Sequence, residues 1–382
     1  MTGVIVHEWL ETHGGAEKVL EEMADIFPTA PIFALWDDAP DRFDSGRVRE
    51  TWLARTPLRK RKSLALAVMP PTWRNLGRLD AEWILCSSHL FAHHARFSGG
   101  ARTAPKLVYA YTPARYIWNP ELDSRGDSSL VRMVAPYFRS LDRKRAREPL
   151  AIAAISDFVR KRIEDAWHRE SEVIYPPVSV RFFADDHLDG LTDAERHLLE
   201  HVIPEEFIVG ASRFIPYKRL DLVIRTGAIL GIPTVICGSG PEEESLRRCA
   251  RELGGKVVFV LQPSQPLLRE LFRRAQVFVF PAIEDFGIVP VEAMATGTPV
   301  IARNIGGASE TIQEGRTGAL VGSFGAGEIR DAYKRAMDTS PLDCRARAFE
   351  FDRAVFRIEL TRWVRKSADS AHALAAPDHA ET

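Results

Sequence analysis

Two carboxylates with seven residues between them form the most informative pattern in the chain. Glu284 and Glu292 lie in the stretch EDFGIVPVEAMATG, between apolar runs at residues 277–280 and 299–302 that are typical of buried strands. Carboxylates accept hydrogen bonds, and the two hydroxyls of a vicinal diol offer a carboxylate two donors. The arrangement favours a site for ligand hydroxyls over a solvated acidic turn, which would be the better explanation of an isolated pair.

A short helix is predicted to begin between these carboxylates. Pro290 suits a first helical turn, and Gly297 suits the position just after a helix end, so the helix should start near Ile288. The free N–H groups of a helix start favour an anion, especially a phosphate. The sequence therefore predicts a ligand that carries hydroxyls and phosphate together.

A basic pair lies at the start of the same half of the chain. Arg213 and Lys218 belong to the stretch SRFIPYKRLDLVI, which follows an apolar run at residues 207–211. Arginine makes forked hydrogen bonds and lysine supplies a compact charge, so the two can hold one diphosphate. A surface basic loop is the better explanation of the pair alone; the acidic helix motif in the same half of the chain favours the diphosphate.

Glycine-rich turns give weaker signals. Gly14 and Gly15 follow the first predicted strand, and either a tight turn or a close approach of backbone to a ligand explains them. Gly238 and Gly240 lack the third glycine of a dinucleotide fingerprint, which disfavours a nicotinamide or flavin enzyme. The chain has no P-loop motif and no Asp-x-Asp pair for a metal–diphosphate complex, so no metal and no cofactor is expected.

Two further patterns are more ambiguous. His89 and His93 are four residues apart, but without an acidic or cysteine partner nearby in sequence a metal site is disfavoured. The basic and apolar stretch at residues 55–69 is either a solvated face beside a core segment or a patch attracted to anionic lipid head groups. Neither explanation of this stretch is preferred.

Composition limits the class of protein. The 382 residues carry 51 Lys and Arg against 52 Asp and Glu, a balance that argues against a nucleic-acid binder. Four scattered cysteines suit a reducing compartment better than a disulfide framework. Apolar runs are too short to span a membrane, and residues 1–8 lack the regions of a secretory signal. We expect a cytoplasmic protein, peripheral at the inner face of the plasma membrane if the basic stretch binds lipid.

Short apolar runs alternate with stretches of helical length, which predicts an α/β protein with parallel sheets. The alternation pauses at a proline-stiffened segment, residues 174–178, and then restarts. We predict a first domain at 1–178, a second at 179–345, and a C-terminal region at 346–382. That region should hold a helix at 354–367, packing back across the join, and a disordered tail from residue 368.

Taken together, these motifs resemble the retaining GT-B glycosyltransferases of family 4, especially the branch that acts on bacterial surface polysaccharides and lipid-linked sugars. The resemblance covers residues 1–365: residues 284–292 look like the E-x7-E motif, Arg213 and Lys218 like the basic pair, and the Gly14–Gly15 turn like the N-terminal glycine loop. The segment YTPARYIW, residues 111–118, is similar to a His-Thr-Pro-x-Arg-Tyr-x-Trp segment of that branch.

The resemblance implies two Rossmann-like domains facing a central cleft, and a role for each motif. Arg213 and Lys218 would hold the donor's diphosphate, Glu284 the hexose and Glu292 the ribose. The backbone of residues 286–288 (Phe286, Gly287 and Ile288) would contact sugar and phosphate, and Gly14 and Gly15 would close over the diphosphate from the other domain. Tyr111 stands where the family has a histidine; it and Arg115 are candidate donor or acceptor contacts.

The function implied is a retaining, metal-independent hexosyltransferase with a nucleotide diphosphate sugar as donor, preferably GDP-mannose. The acceptor would be a saccharide, a lipid-linked sugar or a small molecule. Two alternatives stay open: a nucleotide-sugar epimerase of the same fold, which accounts less well for the two glutamates, and a non-catalytic protein that binds sugar nucleotides.

Overall fold

The computed structural model describes residues 2–12, 14–118, 129–187 and 189–375, which divide into two compact units. The first unit comprises Met1–Pro177 and Ala354–Thr382, and the second comprises Val178–Arg353. Residues 346–353 thus pack with the second unit and the C-terminal helix with the first. Within the described ranges, no helix joins the length and the apolar character that crossing a membrane requires.

The first unit is built on a seven-stranded parallel sheet in the order β3-β2-β1-β4-β5-β6-β7. Its strands are β1 (Gly3–His7), β2 (Ile32–Ala34), β3 (Val48–Glu50), β4 (Trp83–Ser88), β5 (Lys106–Ala110), β6 (Ala151–Ala154) and β7 (Glu172–Val173). Apolar runs at residues 4–6, 83–87, 107–111 and 151–156 predict β1, β4, β5 and β6, which the structure confirms; β2, β3 and β7 have only two or three residues and were not predicted.

The second unit repeats the plan with six parallel strands in the order β10-β9-β8-β11-β12-β13. They are β8 (Ile208–Ala211), β9 (Thr234–Gly238), β10 (Val257–Leu261), β11 (Val277–Phe280), β12 (Val300–Arg303) and β13 (Gly318–Val321). In both sheets the chain starts in the middle, winds outward to one side and then to the other. The prediction of two parallel-sheet, Rossmann-like α/β domains is therefore confirmed.

Helices cover the sheets and connect their strands. Those of the first unit are α1 (Gly15–Ile26), α2 (Lys62–Ala65), α3 (Met69–Trp73), α4 (Arg115–Trp118), α5 (Ser129–Arg145) and α6 (Asp157–Trp167). Those of the second are α7 (Val180–Ala184), α8 (Asp193–His201), α9 (Leu220–Leu230), α10 (Glu243–Leu253), α11 (Gln265–Arg274), α12 (Ile288–Ala295), α13 (Ala308–Thr311), α14 (Ala326–Met337) and α15 (Pro341–Phe349). The last helix is α16 (Arg353–Ala375).

Parallel strands covered on both faces read as continuous apolar runs, and the cores follow from that. Val4, Ile5 and Val6 are fully buried in β1, and Val277 and Phe278 are fully buried in β11. A fully buried side chain of this kind contributes about 1.5–3 kcal/mol relative to an exposed one. The central strands are thereby fixed rigidly, and they hold the loops at their carboxyl ends.

The predicted disorder from residue 368 is wrong for the part of the tail that is described. Helix α16 continues to Ala375, and Ala368 is fully buried. Alanine has the highest helix propensity, and Trp363 and Val364 anchor the same helix in the core of the first unit. Residues 376–382 lie outside the described residues.

Candidate active site

The predicted site residues of the second unit lie at the carboxyl edge of its sheet, where the strand order reverses. Strands β8 and β11 are neighbours but their connections run to opposite sides, which makes a topological switch point. In doubly wound sheets the crevice outside such a point is where ligands bind. Arg213 and Lys218 follow β8, and Glu284 follows β11.

Backbone hydrogen bonds connect the loop after β8 to the end of β9 and the loop that follows it. The Ser212 N–H donates to the Cys237 carbonyl at 3.0 Å, and the Phe214 N–H to the Ser239 carbonyl at 2.8 Å. Gly238 has a φ of +135°, and a Cβ there would lie 1.9 Å from the Ser212 carbonyl oxygen. Glycine at this position therefore serves the close approach of two loops, and it fixes the backbone on either side of Arg213.

Lys218 and Glu284 form an ion pair across the switch point. Their side chains are only 11% and 21% exposed, so the pair is partly shielded from water. The structure thus brings together one of the predicted diphosphate ligands and the predicted hexose ligand, although they are 66 positions apart in the sequence. A partly buried ammonium of this kind can be shared with an incoming phosphate.

Tyr217 connects the two cations and was not predicted from sequence. Arg213 is exposed, and its Nη2 donates to the Tyr217 hydroxyl at 3.2 Å. The Lys218 ammonium lies 5.1 Å from the centre of the Tyr217 ring, within cation–π range. An aromatic residue placed between two cations in the sequence RFIPYK is the signal that could have identified it.

Helix α12 begins at Ile288, as predicted, and Gly287 caps it with a φ of +93° and no side-chain hydrogen bond. The first-turn N–H groups are therefore left without a side-chain acceptor from their cap residue. Phe286 is buried against Phe351, with ring centres 5.6 Å apart, which fixes the turn before the helix. Glu292 is buried within the helix at 6% exposure.

A glycine pair after β12 supports the loop that carries Glu284. The Gly307 N–H donates to the Glu284 carbonyl at 2.7 Å. A Cβ at Gly307 would lie 2.2 Å from the Asp285 carbonyl oxygen, and one at Gly306 would lie 2.9 Å from that of Glu284. Gly306 and Gly307 were not predicted from sequence, although a Gly-Gly pair shortly after a predicted strand is a signal for close backbone approach.

In the first unit, Gly14 is the cap residue of α1 and is exposed, as is Gly15. A Cβ at Gly14 would lie 1.9 Å from a carboxylate oxygen of Glu17. Burial raises the pKa of Glu17, which is packed under the turn. The tight-turn explanation of the glycines thus has a structural basis, and their exposed backbone still leaves them accessible to a ligand.

Tyr111 is tied to the start of α1 through a hydrogen-bonded chain. Its hydroxyl donates to the Ala16 carbonyl at 3.2 Å, so its oxygen accepts from Ser87 Oγ, 2.9 Å away. Ser87 Oγ in turn accepts from Nδ1 of His7 at 2.9 Å. Burial lowers the pKa of His7 to about 3 and raises that of Tyr111, so all three hydrogen-bonded side chains are neutral at pH 7.

Because of these hydrogen bonds, the Tyr111 hydroxyl positions neighbouring groups and is not free. Tyr111 follows β5, Ser87 is the last residue but one of β4 and His7 ends β1, so all three lie at the carboxyl edge of the first sheet. The sequence analysis did not identify His7 or Ser87; their position at the ends of central strands is the signal that points to them. Arg115 begins α4 and is half-buried.

Folding gives His93 an acidic partner that lies far away in sequence. Oδ1 of Asp142 lies 3.0 Å from Nε2 of His93 and 3.1 Å from Nε2 of His94. Oδ2 accepts from the indole N–H groups of Trp118 and Trp167 at 2.8 and 2.6 Å. Asp142 comes from α5, far away in sequence, which is why spacing alone could not reveal it.

This cluster is explained by hydrogen bonding within the protein. Burial alone would raise the pKa of Asp142, but the two histidines hold it below its usual range. The ligand atoms of His93, His94 and Asp142 lie within 4.8 Å of one another, yet Oδ2 of Asp142 already accepts from two indole N–H groups. His89 does not join them; its ring lies 4.9 Å from that of Trp9.

The second unit matches a known family by sequence. Residues 194–349 match the family model described as glycosyl transferases group 1. The D-inositol 3-phosphate glycosyltransferase of Mycolicibacterium smegmatis is 31% identical over 179 residues, which are 44% of this chain and 40% of the relative. The protein of the same name from Mycobacterium tuberculosis H37Ra is 34% identical over 170 residues, 42% of this chain and 35% of the relative. The chain therefore aligns with less than half the length of these relatives.

Solved structures match over nearly the whole chain at low identity. Anabaena HepE in complex with UDP is 18% identical with a TM-score of 0.70, and the match covers 96% of this chain and 100% of that one. Sucrose-phosphate synthase from Thermosynechococcus elongatus is 16% identical with a TM-score of 0.66, covering 96% and 99%. At this identity the likeness concerns the fold, and it agrees with the expected GT-B architecture of two Rossmann-like domains.

Proposed function

We propose that this chain is a glycosyltransferase that moves a hexose from a nucleotide diphosphate sugar to an acceptor. The observation that carries the proposal is the Lys218–Glu284 pair at the switch point of the second sheet. It places an ammonium for phosphate and a carboxylate for sugar hydroxyls side by side, next to the start of α12. The family match over residues 194–349 includes all of these residues and supports the proposal.

In the proposed mechanism the enzyme stabilises the leaving group. The bond between the anomeric carbon and the phosphate oxygen breaks, and negative charge develops on the nucleoside diphosphate. Arg213, Lys218 and the N–H groups at the start of α12 are fixed donors that would meet this charge without a metal. The acceptor hydroxyl forms the new bond to the anomeric carbon and passes its proton to the departing phosphate. Attack from the same face retains the anomeric configuration.

The remaining contacts follow the same division of labour. Glu284 would accept hydrogen bonds from the hexose, and Glu292, one turn inside α12, from the ribose. The backbone of Phe286, Gly287 and Ile288 would contact sugar and phosphate. Gly14 and Gly15 are proposed to bind the diphosphate as well. Tyr111 would act by fixing the start of α1 through its bond to Ala16 rather than by touching the sugar with a free hydroxyl.

GDP-mannose is our preferred donor, on the sequence resemblance alone. The HepE structures have UDP and UDP-glucose as their named ligands, so uridine donors are the main competitors. The name of the mycobacterial relatives makes inositol 3-phosphate one acceptor to test beside saccharides and lipid-linked sugars.

A panel of donors and acceptors tests the proposal. Thermal unfolding is measured with GDP, UDP, GDP-mannose, UDP-glucose and UDP-galactose, because specific binding raises apparent stability. Donors that raise the melting temperature are then incubated with each acceptor, and the product and its anomeric configuration are read by NMR. We expect a glycoside with the donor's configuration. Binding without transfer to any acceptor would favour a non-catalytic sugar-nucleotide protein, and a changed sugar without transfer would favour an epimerase.

A further inference from the structure

A basic cavity lies in the first unit at the edge of the sheet away from Tyr111. It has a volume of about 670 Å³ and is bordered by Ile84 and Lys106, which pair at the starts of β4 and β5. Ser88 and Ala110, at the other ends of these strands, are the sequence neighbours of Ser87 and Tyr111, whose side chains are hydrogen-bonded. The cavity is therefore separate from the site described above, and its volume is in the range of small-molecule sites.

The charge of the cavity is strongly unbalanced. Among the described residues that line it, Arg74, Arg96, Arg102 and Lys106 are cations, and Glu148 is the carboxylate. A neighbouring hollow of about 440 Å³ is lined by three of the same arginines. The chain as a whole has a net charge of only −1, so this concentration of positive charge is local.

Glu148 is already neutralised by cations. Its Oε2 is 2.6 Å from Nη1 of Arg74 and 3.0 Å from Nζ of Lys106, and its Oε1 is 2.9 Å from Nη1 of Arg145. Burial alone would raise the pKa of Glu148, but these cations hold it at about 2. Three positive groups thus share one negative charge at the inner end of the cavity.

The outer two arginines have no such partner. The guanidinium groups of Arg96 and Arg102 are exposed and make no hydrogen bond or ion pair with any residue that the structure describes. Burial lowers the pKa of Arg74, and the positive charges of Arg145 and Arg96 lower it further. Arg96 therefore lies near enough to Arg74 for their charges to repel. Guanidinium groups bind phosphate oxygens through forked hydrogen bonds.

We propose that this cavity binds the phosphate or diphosphate group of a soluble small molecule, through Arg96 and Arg102 with Arg74 and Lys106 behind them. The site is distinct from the proposed donor site in the second unit. An anion with two or more charges would relieve the repulsion among the four cations, which a monovalent ion does less well.

Pyrophosphate is the probe. Because the proposed donor site would bind it too, that site is first disabled by substitution. Calorimetry is done on the full chain carrying Arg213→Ala and Lys218→Ala, and on the same chain with Arg96→Ala and Arg102→Ala added. We expect residual pyrophosphate binding in the first protein and about tenfold weaker binding in the second. The control adds Arg362→Ala and Arg365→Ala instead, two exposed arginines of the same unit outside the cavity, and should keep the residual binding.

Each outcome decides the matter. Loss of all pyrophosphate binding in the Arg213→Ala, Lys218→Ala protein, or residual binding that survives the Arg96→Ala and Arg102→Ala changes, overturns this cavity as the site. If Arg213→Ala and Lys218→Ala leave pyrophosphate binding unchanged, the donor-site proposal fails, and the Arg96→Ala, Arg102→Ala variant of the native chain still tests the cavity. Vesicles of phosphatidic acid form the second arm; binding to them without binding to pyrophosphate would overturn the assignment to a soluble ligand.

Discussion

At the scale of single residues, the buried ends of β1 show how position sets protonation. Glu8 is fully buried directly after His7, and its Oε1 accepts from the backbone N–H groups of Leu90 and Ala92 at 2.8 and 2.7 Å. Burial nevertheless raises its pKa to about 7, because these hydrogen bonds offset only part of the desolvation. His7 beside it is held neutral by the same burial.

The replacement Glu8→Gln is expected to change how stability depends on pH. The folded state keeps its proton on Glu8 up to about pH 7, whereas the unfolded chain releases it near pH 4.5. The native protein therefore loses stability relative to Glu8→Gln as pH rises through this window, by about 3 kcal/mol in all. Urea unfolding of both proteins from pH 4 to pH 8 measures the difference.

The exposed Glu252 provides the matched control, since Glu252→Gln should leave the pH dependence as it is in the native chain. A difference between Glu8→Gln and the native protein that stays constant from pH 4 to pH 8 would show that Glu8 titrates normally.

At the scale of elements, loop-to-loop packing at the strand ends holds the site. The loop after β11 rests on the glycine pair after β12, and the loop after β8 rests on the glycines after β9. In each case a glycine lets one backbone approach another more closely than a side chain would allow. We expect the ion pair between Lys218 and Glu284 to depend on both supports.

The replacement Gly307→Ala tests this dependence. Its Cβ would collide with backbone atoms of Asp285 and Phe286, at 2.2 and 2.5 Å, so the loop carrying Glu284 must shift. We expect a loss of about 1–3 kcal/mol in the free energy of unfolding and weaker donor binding. Gly255→Ala is the control, because a Cβ there meets nothing within 4 Å. Equal donor affinity in the two variants would refute the supporting role of Gly307.

The sequence was informative about these elements where its signals were local. The start of α12 could be placed because Pro290 and Gly297 mark a helix within one window, and long apolar runs identified the central strands. Strand β2 was not predicted because it has only three residues. Contacts between residues that are distant in sequence were not predicted either. Tyr217, the chain from His7 to Tyr111 and the pairing of His93 with Asp142 all depend on which strand ends become neighbours, and no local pattern states that.

At the scale of the whole molecule, two sheets with the same winding order each have a switch point between the first and fourth strands in chain order, and each carries candidate residues at its carboxyl edge. This repetition explains why motifs far apart in sequence recur at equivalent positions. Charged side chains cluster in two separate places: the Lys218–Glu284 pair in the second unit, and the arginine-rich cavity at the opposite edge of the sheet in the first unit.

We predict that transfer does not need a divalent metal. The leaving diphosphate would be neutralised by Arg213, Lys218 and the start of α12. Among the described residues, the one group with metal-ligand spacing is His93, His94 and Asp142, and Oδ2 of its carboxylate already accepts from the indole N–H groups of Trp118 and Trp167. Product formation should continue at the same rate after dialysis against EDTA. Loss of activity with EDTA and its recovery with Mn²⁺ would show that a metal takes part.

The most direct test of the central claim is the turnover of Arg213→Ala and Lys218→Ala, measured with the donor that the panel identifies. Removal of a fixed donor to the leaving group should lower kcat about 100- to 1000-fold. Arg213 is exposed, so its loss should leave the melting temperature unchanged, and the exposed Lys256→Ala of the same unit should keep full activity. Turnover of both Arg213→Ala and Lys218→Ala within a few-fold of the native chain would show that these cations do not stabilise the leaving diphosphate.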